Sequence, residues 1–380
     1  MGVERFVLDD GWFHGRRDDR RALGDWTVDA KTWPDGLGPI IERVHQAGMD
    51  FGLWVEPEMV NLDSDLARAH PDWVLGRAGD LAWRHQHVLD LTAPGAADHV
   101  FASLDALLSE HDIAFLKWDH NRDLLGGSAH AQTHAVYALI DRLRAEHPGV
   151  EIESCSSGGA RIDLGILERT DRVWPSDTND PLERQSIHRY TSLLVPPEYL
   201  GAHLGAARAH TTGRTAELSF RFATALFGSA GIEWNLAEAS DVELEAVARW
   251  VGEYRRLRPL LHGGTVVRAD PDDPAQLVHG VVAPDRSLAV FSVAMLGTAR
   301  SALPPAVRLP GLDADRTYLV RPLDLGAPVR TLQDADPPWF AAGGIEIAGS
   351  ILAEVGIPAP LLAPENAMLF ELARVGSEEP

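Results

Sequence analysis

The chain has 380 residues, which is enough for two domains or for one large barrel with an appended domain. Hydrophobic residues make up 45% of it, which excludes a disordered chain, and its 34 glycines show no three-residue period of the collagen type. The net charge of −22 disfavours binding to nucleic acids and membrane surfaces, because an acidic surface repels phosphate groups.

Short apolar runs alternate with helical patterns over the first two thirds of the chain. Strands are predicted, in chain order, at residues 5–8, 51–55, 113–118, 150–152, 172–174, 199–203 and 230–234. Apolar residues at helical spacing predict helices at 40–47, 100–108, 136–143 and 218–227. Strands that alternate with helices in this way indicate parallel βαβ units.

Each of the seven predicted strands ends in polar residues or is followed by them. They are Asp9 and Asp10, Glu56, Asp119, Cys155 and Ser156, Asp177, His203 and Glu233. Functional groups collect at the carboxyl ends of all strands in a (β/α)8 barrel, whereas a doubly wound sheet concentrates its ligands at one switch point. The sequence therefore predicts an α/β fold of the (β/α)8 TIM-barrel type that is short by one strand.

The pattern changes after residue 263. An amphipathic helix with apolar positions from Leu244 to Leu257 is expected to end near Pro259. Beyond it, runs of β character lie at 266–267, 277–282, 288–293, 318–320 and 368–372. Proline, glycine and aspartate separate these runs, which predicts a small antiparallel β-sandwich. The predicted domains are a catalytic barrel at 1–262 and a C-terminal β-sandwich domain at 263–380.

One predicted strand carries three polar residues at alternate positions. Lys117, Asp119 and Asn121 would share one face of the strand. An ammonium group beside a carboxylate keeps it ionised, as a carboxylate nucleophile requires. A buried Lys–Asp ion pair that caps a layer of the barrel is the alternative.

Two later strand ends also carry reactive or flexible residues. Small residues and paired glycines at 153–161 would let the backbone approach a ligand, or would form an ordinary βα turn. Cys155 has no local signature of a cysteine nucleophile. Asp177, close to Trp174, could keep its proton through partial desolvation and act as a general acid, or could cap a helix.

The first strand end adds paired carboxylates, Asp9 and Asp10, of a kind common in sugar sites and in divalent-metal sites. Trp54 offers a flat ring that could stack on a sugar, although core packing is the usual role of a single tryptophan. Two carboxylates with opposite protonation needs, together with hydroxyl-binding aspartates and aromatic rings, describe glycoside hydrolysis. The conjunction of these segments, rather than any one of them, indicates that chemistry.

Over about residues 4–372 the chain resembles glycoside hydrolase family 36, the α-galactosidases of the melibiase type. The motifs that carry the resemblance, in order, are LDDGWF (8–13), GLWVEPEM (52–59), KWDHNR (117–122), ESCSSGGAR (153–161), WPSDTND (174–180) and HTTGR (210–214), with LAPENAMLFEL (362–372) similar to the family's last strand. The resemblance implies an α-galactosidase that hydrolyses terminal non-reducing α-D-galactosyl residues, as in melibiose or raffinose, by a retaining double displacement.

The resemblance also implies roles for individual residues. Asp119 would be the nucleophile and Asp177 the acid/base. The implied substrate contacts are Asp9 and Asp10 at the 4- and 6-hydroxyls, Lys117 and Asn121, Trp54 beside the sugar ring, Trp174 at the site wall, Arg84 at the pocket rim, and Cys155 and Gly158 at the floor near the 2-hydroxyl. Family members that accept an N-acetyl group usually differ at this floor, which favours galactose over N-acetylgalactosamine.

The chain departs from the family at its start. Members normally carry a large N-terminal β-sandwich and a first barrel strand with a tryptophan–glutamate signature, and neither precedes LDDGWF here. Without that strand, two neighbouring strands would have open edges. The alternative functions are an α-N-acetylgalactosaminidase or galactosyl transferase of the same fold, and an inactive, truncated sugar-binding remnant. A metal-dependent hydrolase is a further alternative, prompted by His85, His87, His120 and the Asp9/Asp10 pair, but it lacks a recognisable ligand set.

No cofactor and no metal are expected. The expected partner is a small oligosaccharide substrate, with no nucleic acid and no membrane, and a homo-oligomer is left open. The single cysteine, the charged residues near the amino terminus and the lack of an apolar run of about 18 residues together predict a cytoplasmic protein.

Overall fold

The computed structural model describes residues 1–76, 83–303 and 305–376. The chain forms two compact units: the first is Val3–Asp177, and the second comprises Met1–Gly2 and Thr178–Pro380. The predicted domain boundary between residues 262 and 263 lies inside the second unit and stays a prediction. No helix among the described residues combines the length and the apolar character that crossing a membrane requires.

The first unit is built from short strands and helices in alternation. Its strands are β1 (Arg5–Leu8), β2 (Asp50–Val55), β3 (Met59–Val60), β4 (Val74–Leu75), β5 (His87–Leu89), β6 (Phe115–Trp118), β7 (Glu151–Ser154) and β8 (Arg172–Val173). Its helices are α1 (Gly38–Gln46), α2 (Asp65–Ala69), α3 (Ala96–Glu110), α4 (Ala129–Glu146) and α5 (Leu164–Leu167).

Five of these strands form a parallel sheet in the order β1-β2-β6-β7-β8. The register places Val55 opposite Trp118, and Trp118 opposite Ser154, so the carboxyl ends of β2, β6 and β7 lie level with one another. β2 is buried over its whole length after Asp50, which explains its continuous apolar sequence FGLWV. The remaining strands β3, β5 and β4 form a small antiparallel sheet that the sequence did not predict.

Helix α3 shows how the sequence directs the packing of the first unit. Its apolar residues Val100, Leu104 and Leu107 recur at helical spacing, and all three are buried. They belong to the same hydrophobic core as Phe51 and Leu116 of the sheet. The helix thus covers the sheet with one stripe and leaves its polar stripe to solvent.

The second unit contains a two-stranded parallel sheet and a larger antiparallel sheet. Its strands are β9 (Gly201–Gly205), β10 (Ser229–Glu233), β11 (Thr265–Ala269), β12 (Gln276–Val282), β13 (Leu288–Met295), β14 (Thr317–Pro322), β15 (Ile345–Ala348) and β16 (Asn366–Arg374). Its helices are α6 (Pro181–Thr191), α7 (Leu218–Ala225), α8 (Asp241–Gly263), α9 (Pro338–Ala341) and α10 (Gly349–Glu354).

The antiparallel sheet has six strands in the order β11-β12-β13-β16-β14-β15 and is buried on both faces. In β13, Val290 and Ala294 pack in one core with helices α7 and α8, whereas Phe291 and Val293 pack in another. That second core is completed by residues outside the strands, such as Leu352. The sequence predicted a sandwich. The described residues show one sheet. Helices α7 and α8 pack on one of its faces, and short segments, including the one that contains Leu352, pack on the other.

All seven strands predicted before residue 235 are confirmed, with bounds shifted by no more than two residues. Helix α8 is longer than predicted, because it continues through Pro259 to Gly263. Proline removes one backbone N–H and bends a helix without always ending it. Leu260 and Leu261 are buried in the core beyond the proline, and this packing holds the last turn in place.

Candidate active site

The carboxyl ends of the parallel strands in the first unit carry the residues that the sequence assigned to a site. Asp9 follows β1, Asp119 follows β6 and Cys155 follows β7, while Trp174 and Asp177 come after β8. Because the five strands are parallel, these positions share one edge of the sheet. The contacts among them show which residues the fold brings together.

Asp119 is a carboxylate held by hydrogen-bond donors on both oxygens. Oδ2 accepts from Asn121 Nδ2 at 2.7 Å and from Trp54 Nε1 at 3.2 Å, and Oδ1 accepts from the His120 backbone N–H at 2.8 Å. The residue is only 7% exposed. Donors on both oxygens fix the orientation of the carboxylate, which suits a nucleophile.

Asp177 stands in different surroundings. Its Oδ1 accepts from Trp174 Nε1 at 3.1 Å, and no donor among the described residues reaches its Oδ2. Its pKa is raised above the ordinary value, first by desolvation and second by the negative charge of Asp119. A carboxyl group that retains its proton and has one oxygen available is equipped to act as a general acid.

Cys155 lies between the two aspartates. Its Sγ is 3.9 Å from Asp177 Oδ1, and the thiol also interacts with the Asp119 side chain. Burial and the charges of both aspartates raise the pKa of the thiol far above its usual range. Cys155 is therefore a neutral, buried thiol (1% exposed), which agrees with the absence of a cysteine-nucleophile signature in the sequence.

Gly158 fixes the position of the Asp177 backbone. A Cβ atom at this glycine would lie 2.7 Å from Ser176 Cα and 2.8 Å from Asp177 N, and its φ of +80° belongs to the left-handed region. Only glycine fits such a close approach with this backbone conformation. The structure therefore gives Gly158 a positioning function, and its predicted contact near a substrate 2-hydroxyl stays a prediction.

Lys117 contacts a different carboxylate from the one expected. The sequence placed its ammonium beside Asp119, but its Nζ forms an ion pair with Asp9 Oδ2 at 2.8 Å. Burial by itself would lower the pKa of Lys117, but the charge of Asp9 and the hydrogen bond to it, together with weaker contributions from other neighbours, hold that pKa above its usual value. The expected Lys117–Asp119 pair was wrong in its partner because Asp9 comes from a separate strand, and strand order is a tertiary property.

Asp10 is held by an arginine that sequence reasoning missed. Arg16 Nε donates to Asp10 Oδ1 at 2.9 Å and Arg16 Nη2 donates to Oδ2 at 2.7 Å, which is a bidentate pair. The Arg16 side chain is almost fully buried. The arginine-rich stretch at 16–21 contained the signal, but four arginines in it could not be told apart by sequence.

Trp54 combines the two roles that the sequence left open. It is 3% exposed and belongs to an aromatic cluster in which its ring stacks against Phe13 at a centroid distance of 6.3 Å. Trp26 contacts the same ring edge-on. Core packing thus accounts for the ring, while its N–H holds Asp119. Contact between Trp54 and a sugar stays a prediction.

A layer of buried carboxylates lies behind the site and was assigned no role from the sequence. Glu56 accepts from the Asn121 backbone N–H at 2.7 Å and from Gln86 Nε2 at 3.0 Å, and desolvation followed by the charge of Asp119 raises its pKa strongly. Glu58 accepts from Trp118 Nε1 at 2.9 Å and pairs with Arg161 at 2.7 Å. Glu56 thus supports Asn121, which in turn holds Asp119.

Arg84 is exposed and has φ of +51°, and the next residue, His85, has φ of +60°. Two successive non-glycine residues in the left-handed region mark a strained turn. The charge of Arg84 acts on both Asp177 and Glu56, lowering the pKa of each against the larger effect of burial. This agrees with a position near the site, and its predicted place at the pocket rim stays a prediction.

No group of three or more histidine, cysteine, aspartate or glutamate side chains within the described ranges is arranged to hold a metal ion. Among the histidines that prompted a metal-site hypothesis, His120 Nδ1 lies 2.9 Å from Ser156 Oγ. Burial lowers the pKa of His120. This histidine is part of the hydrogen-bonded support of the site.

Comparison with known proteins assigns the chain to a family. The sequence model of the melibiase family matches residues 1–264. The chain is 44% identical to an α-galactosidase of Escherichia coli over 98% of its own length and 54% of that protein. It is 34% identical to the bifunctional α-galactosidase/sucrose kinase AgaSK of Mediterraneibacter gnavus, covering 96% of this chain and 38% of that protein. The chain thus spans about half the length, or less, of the curated relatives it matches.

The fold of the chain is similar to those of solved structures. The crystal structure of a variant of the GH36 α-galactosidase AgaA from Geobacillus stearothermophilus, in complex with raffinose, aligns with a TM-score of 0.88 at 32% identity. The alignment covers 98% of this chain and 51% of that one. The predicted fold class, a (β/α)8 TIM-type barrel followed by a C-terminal antiparallel β domain, is confirmed by this similarity.

Proposed function

The chain belongs to the melibiase family, and from that premise we propose that it is an α-galactosidase that releases terminal non-reducing α-D-galactosyl residues from oligosaccharides of the melibiose and raffinose type. The observation that carries the proposal is the contrast between Asp119, saturated with donors, and Asp177, whose pKa is raised and whose Oδ2 accepts no hydrogen bond among the described residues. Opposed protonation of two carboxyl groups is the requirement of a retaining glycosidase.

In the first step of the proposed reaction, an oxygen of Asp119 attacks the anomeric carbon of the galactosyl residue. The bond from that carbon to the leaving oxygen breaks, and the leaving oxygen takes the proton of Asp177. The products are a covalent galactosyl–aspartyl ester, the released alcohol and the Asp177 carboxylate. The raised pKa of Asp177 keeps the required proton available before this step.

In the second step, Asp177 reverses its role. Its carboxylate removes a proton from a water molecule, the water oxygen attacks the anomeric carbon, and the ester bond to Asp119 breaks. Galactose leaves with its original anomeric configuration, and both aspartates return to their starting protonation states. The negative charge of Asp119, which raises the Asp177 pKa, is absent while the ester exists. The Asp177 pKa is therefore lower in the intermediate, and this favours the carboxylate form that acts as the base.

The remaining predicted site residues are proposed to bind the sugar. The Lys117–Asp9 pair and the Asp10–Arg16 pair place charged hydrogen-bonding groups at the same sheet edge as Asp119. Such pre-oriented carboxylates can accept hydrogen bonds from hydroxyl groups. We assign Asp9 and Asp10 to the 4- and 6-hydroxyls of galactose on this basis, and the family resemblance supports the assignment.

Cys155 is proposed to select the substituent at the 2-position. Its position between Asp119 and Asp177 leaves a buried, uncharged thiol close to the reacting centre. The comparison that tests this selection is turnover of p-nitrophenyl α-galactoside against turnover of its 2-acetamido-2-deoxy derivative. Preference for the acetamido substrate would replace the proposal with an α-N-acetylgalactosaminidase.

Two wider predictions accompany the proposed activity. The catalytic barrel is proposed to end near residue 262, where helix α8 gives way to the antiparallel sheet. A cytoplasmic location is supported by the single, buried Cys155. Sedimentation of the purified chain measures whether it forms a homo-oligomer.

The direct test is release of p-nitrophenol from p-nitrophenyl α-galactoside by the purified 380-residue chain. Asp119→Ala and Asp177→Ala run beside it, with Asp141→Asn as the matched control, since Asp141 pairs with Arg169 away from the site. We expect turnover in the parent and the control and its loss in Asp119→Ala. A folded parent chain with no turnover would favour the inactive sugar-binding remnant.

Azide distinguishes the two aspartate roles. In Asp119→Ala, azide can occupy the place of the missing nucleophile, and the expected product is β-galactosyl azide. In Asp177→Ala, azide attacks the ester on Asp119, and the expected product is α-galactosyl azide. The same anomer from both variants would contradict the assigned roles.

A further inference from the structure

A cavity in the second unit lies between helix α6 and the face of strands β11 and β12. Helix α6 and the turn after it contribute Gln185, His188, Arg189 and Ser192. These residues follow the spacing i, i+3, i+4 and i+7, so they form one face of the helix. This helix therefore turns a basic and polar face inward, where an apolar face is the rule.

The strands supply the opposite wall. Arg268 of β11 stands directly across from His279 of β12, and Val266 stands across from Val281. Directly opposed side chains on one face lie about 5 Å apart at their Cβ atoms. An arginine and a histidine that face each other in this way place two groups with N–H donors side by side, opposite Arg189 of helix α6.

The cavity is positively charged in a strongly acidic protein. Its lining includes Arg184, Arg189 and Arg268 together with two histidines, and it includes no aspartate or glutamate. The chain as a whole carries a net charge of −22. The carboxylate that pairs with Arg189, Asp270, has a side chain that is 96% exposed, so it lies at the outer side of the arginine.

A guanidinium donor at this cavity has no acceptor among the residues that the structure describes. Arg189 Nη1 is buried without a hydrogen-bond partner. Arg268 lies beside it and directs Nη2 to the Ser192 carbonyl and hydroxyl. A buried guanidinium donor without an acceptor carries a desolvation cost, which an anion would offset.

The histidines provide further donors. Arg184 Nη1 lies 3.3 Å from His188 Nε2, and because a guanidinium group can only donate, Nε2 accepts and the neutral ring carries its proton on Nδ1. No ring nitrogen of His279 has a hydrogen bond within the described ranges, and its ring packs edge-on against Phe227. Burial, followed by the charges of Arg189 and Arg268, lowers the pKa of His279 to about 4.

We propose that this cavity binds one small tetrahedral oxyanion, of the phosphate or sulfate class, through Arg189, Arg268 and the two histidines. The cavity volume of about 40 Å³ exceeds the roughly 10–15 Å³ that one water molecule needs by the same measure. Guanidinium groups suit such an anion because their planar donors match its oxygen atoms. The proposal does not depend on the galactosidase assignment, since every residue of the cavity lies in the second unit.

The test is isothermal titration of the purified full chain with inorganic phosphate. Sodium chloride holds the ionic strength constant, because unspecific charge effects are screened by salt. We expect one phosphate per chain and no competition by saturating galactose. In Arg189→Gln and Arg268→Gln, loss of one charged donor should weaken phosphate binding about tenfold or more.

The matched control is Arg316→Gln, which removes the same charge from an exposed arginine elsewhere in the second unit. It should bind phosphate like the parent chain. Arg268→Lys keeps the charge but loses the planar pair of donors, so an intermediate affinity is expected. Circular dichroism and the thermal midpoint in chloride show whether each variant is folded.

Two results would overturn the proposal. The first is a parent chain whose phosphate titration matches the chloride blank, which would mean that the cavity holds water only. The second is equal phosphate affinity in the parent, Arg268→Gln and Arg316→Gln, which would place the bound phosphate elsewhere. Sulfate titrated in the same way separates a general oxyanion site from one selective for phosphate.

Discussion

The ends of β6 and β8 place the same kind of side chain in opposite surroundings. Asp119 receives three donors and is 7% exposed, whereas Asp177 receives one indole N–H and has a raised pKa. Aspartate has one intrinsic acidity, so the difference between them comes from their neighbours. Two identical side chains therefore differ through hydrogen-bond donors, desolvation and neighbouring charge, and this difference supports the proposed roles of Asp119 as nucleophile and Asp177 as acid.

Asp119→Asn is expected to have the largest effect on activity. The amide keeps the shape of the side chain but removes the nucleophile, so kcat/KM for p-nitrophenyl α-galactoside should fall by about 10⁴-fold or more, which corresponds to about 5.5 kcal/mol. Steady-state kinetics measures the loss, with Asp141→Asn as the control. Activity within tenfold of the parent would remove Asp119 from the nucleophile role.

Asp177→Asn tests the proposed role of Asp177 as the general acid. With melibiose, whose leaving group needs a proton, we expect a loss of about 10²–10⁴-fold. With an activated aryl galactoside the first step needs little acid help, so that step should be much less impaired. Pre-steady-state release of p-nitrophenol separates the two steps.

The pH dependence of kcat/KM tests whether Asp177 acts in its protonated form. The folded-state pKa of Asp177 is raised, and the acid acts in its protonated form, so kcat/KM should be full below that pKa and fall as the pH rises through it. The alkaline limb should disappear in Asp177→Asn when an activated aryl substrate is used. An alkaline limb that persists unchanged would assign it to another group.

Gly158→Ala is expected to displace the backbone at Ser176 and Asp177. The added Cβ would meet the Ser176 and Asp177 backbone at 2.7–2.8 Å in a left-handed conformation, which should cost about 1–3 kcal/mol of stability. The control is Gly149→Ala, where a Cβ meets nothing within 4 Å. Thermal unfolding measures both variants, and equal midpoints for the two would contradict the close approach.

Two tryptophan substitutions are expected to have the smallest effects on activity, because each removes only one N–H donor. Trp54→Phe takes a charged hydrogen bond from Asp119 and should lower kcat about tenfold with the alkaline limb in place. Trp174→Phe removes a hydrogen bond that lowers the Asp177 pKa, so the alkaline limb should move to higher pH. Identical pH profiles for the two variants would show that the donors are not specific to one aspartate.

Several features of the site were predictable because they depend on local sequence. The positions of Asp119 and Asp177 follow from strands that end in polar residues, and the structure places both at carboxyl ends of the parallel sheet. Helix α8 shows the limit of local rules, since Pro259 predicted its end but burial of Leu260 and Leu261 extends it. Local signals locate an element, while packing decides where it stops.

The pairing of charges was not predictable. Lys117 is two residues from Asp119 in the chain but binds Asp9, which is 108 residues away. Arg16 was one of several arginines in its stretch, and only its burial beside Asp10 distinguishes it. The cationic cavity was also invisible, because Arg268 and His279 meet through an antiparallel register and His188 meets them through helix packing.

The sequence by itself determined the alternation of strands and helices, the polar residues at the strand ends and the family motifs. It could do so because hydrophobic periodicity and turn chemistry act over a few residues. Only the tertiary structure decided that Trp54 and Asn121 hold Asp119 while Trp174 and a neutral thiol surround Asp177. Trp54 and Asp119 are 65 residues apart, so their contact depends on strand order and register, and these are fixed when the buried faces of the sheet pack together.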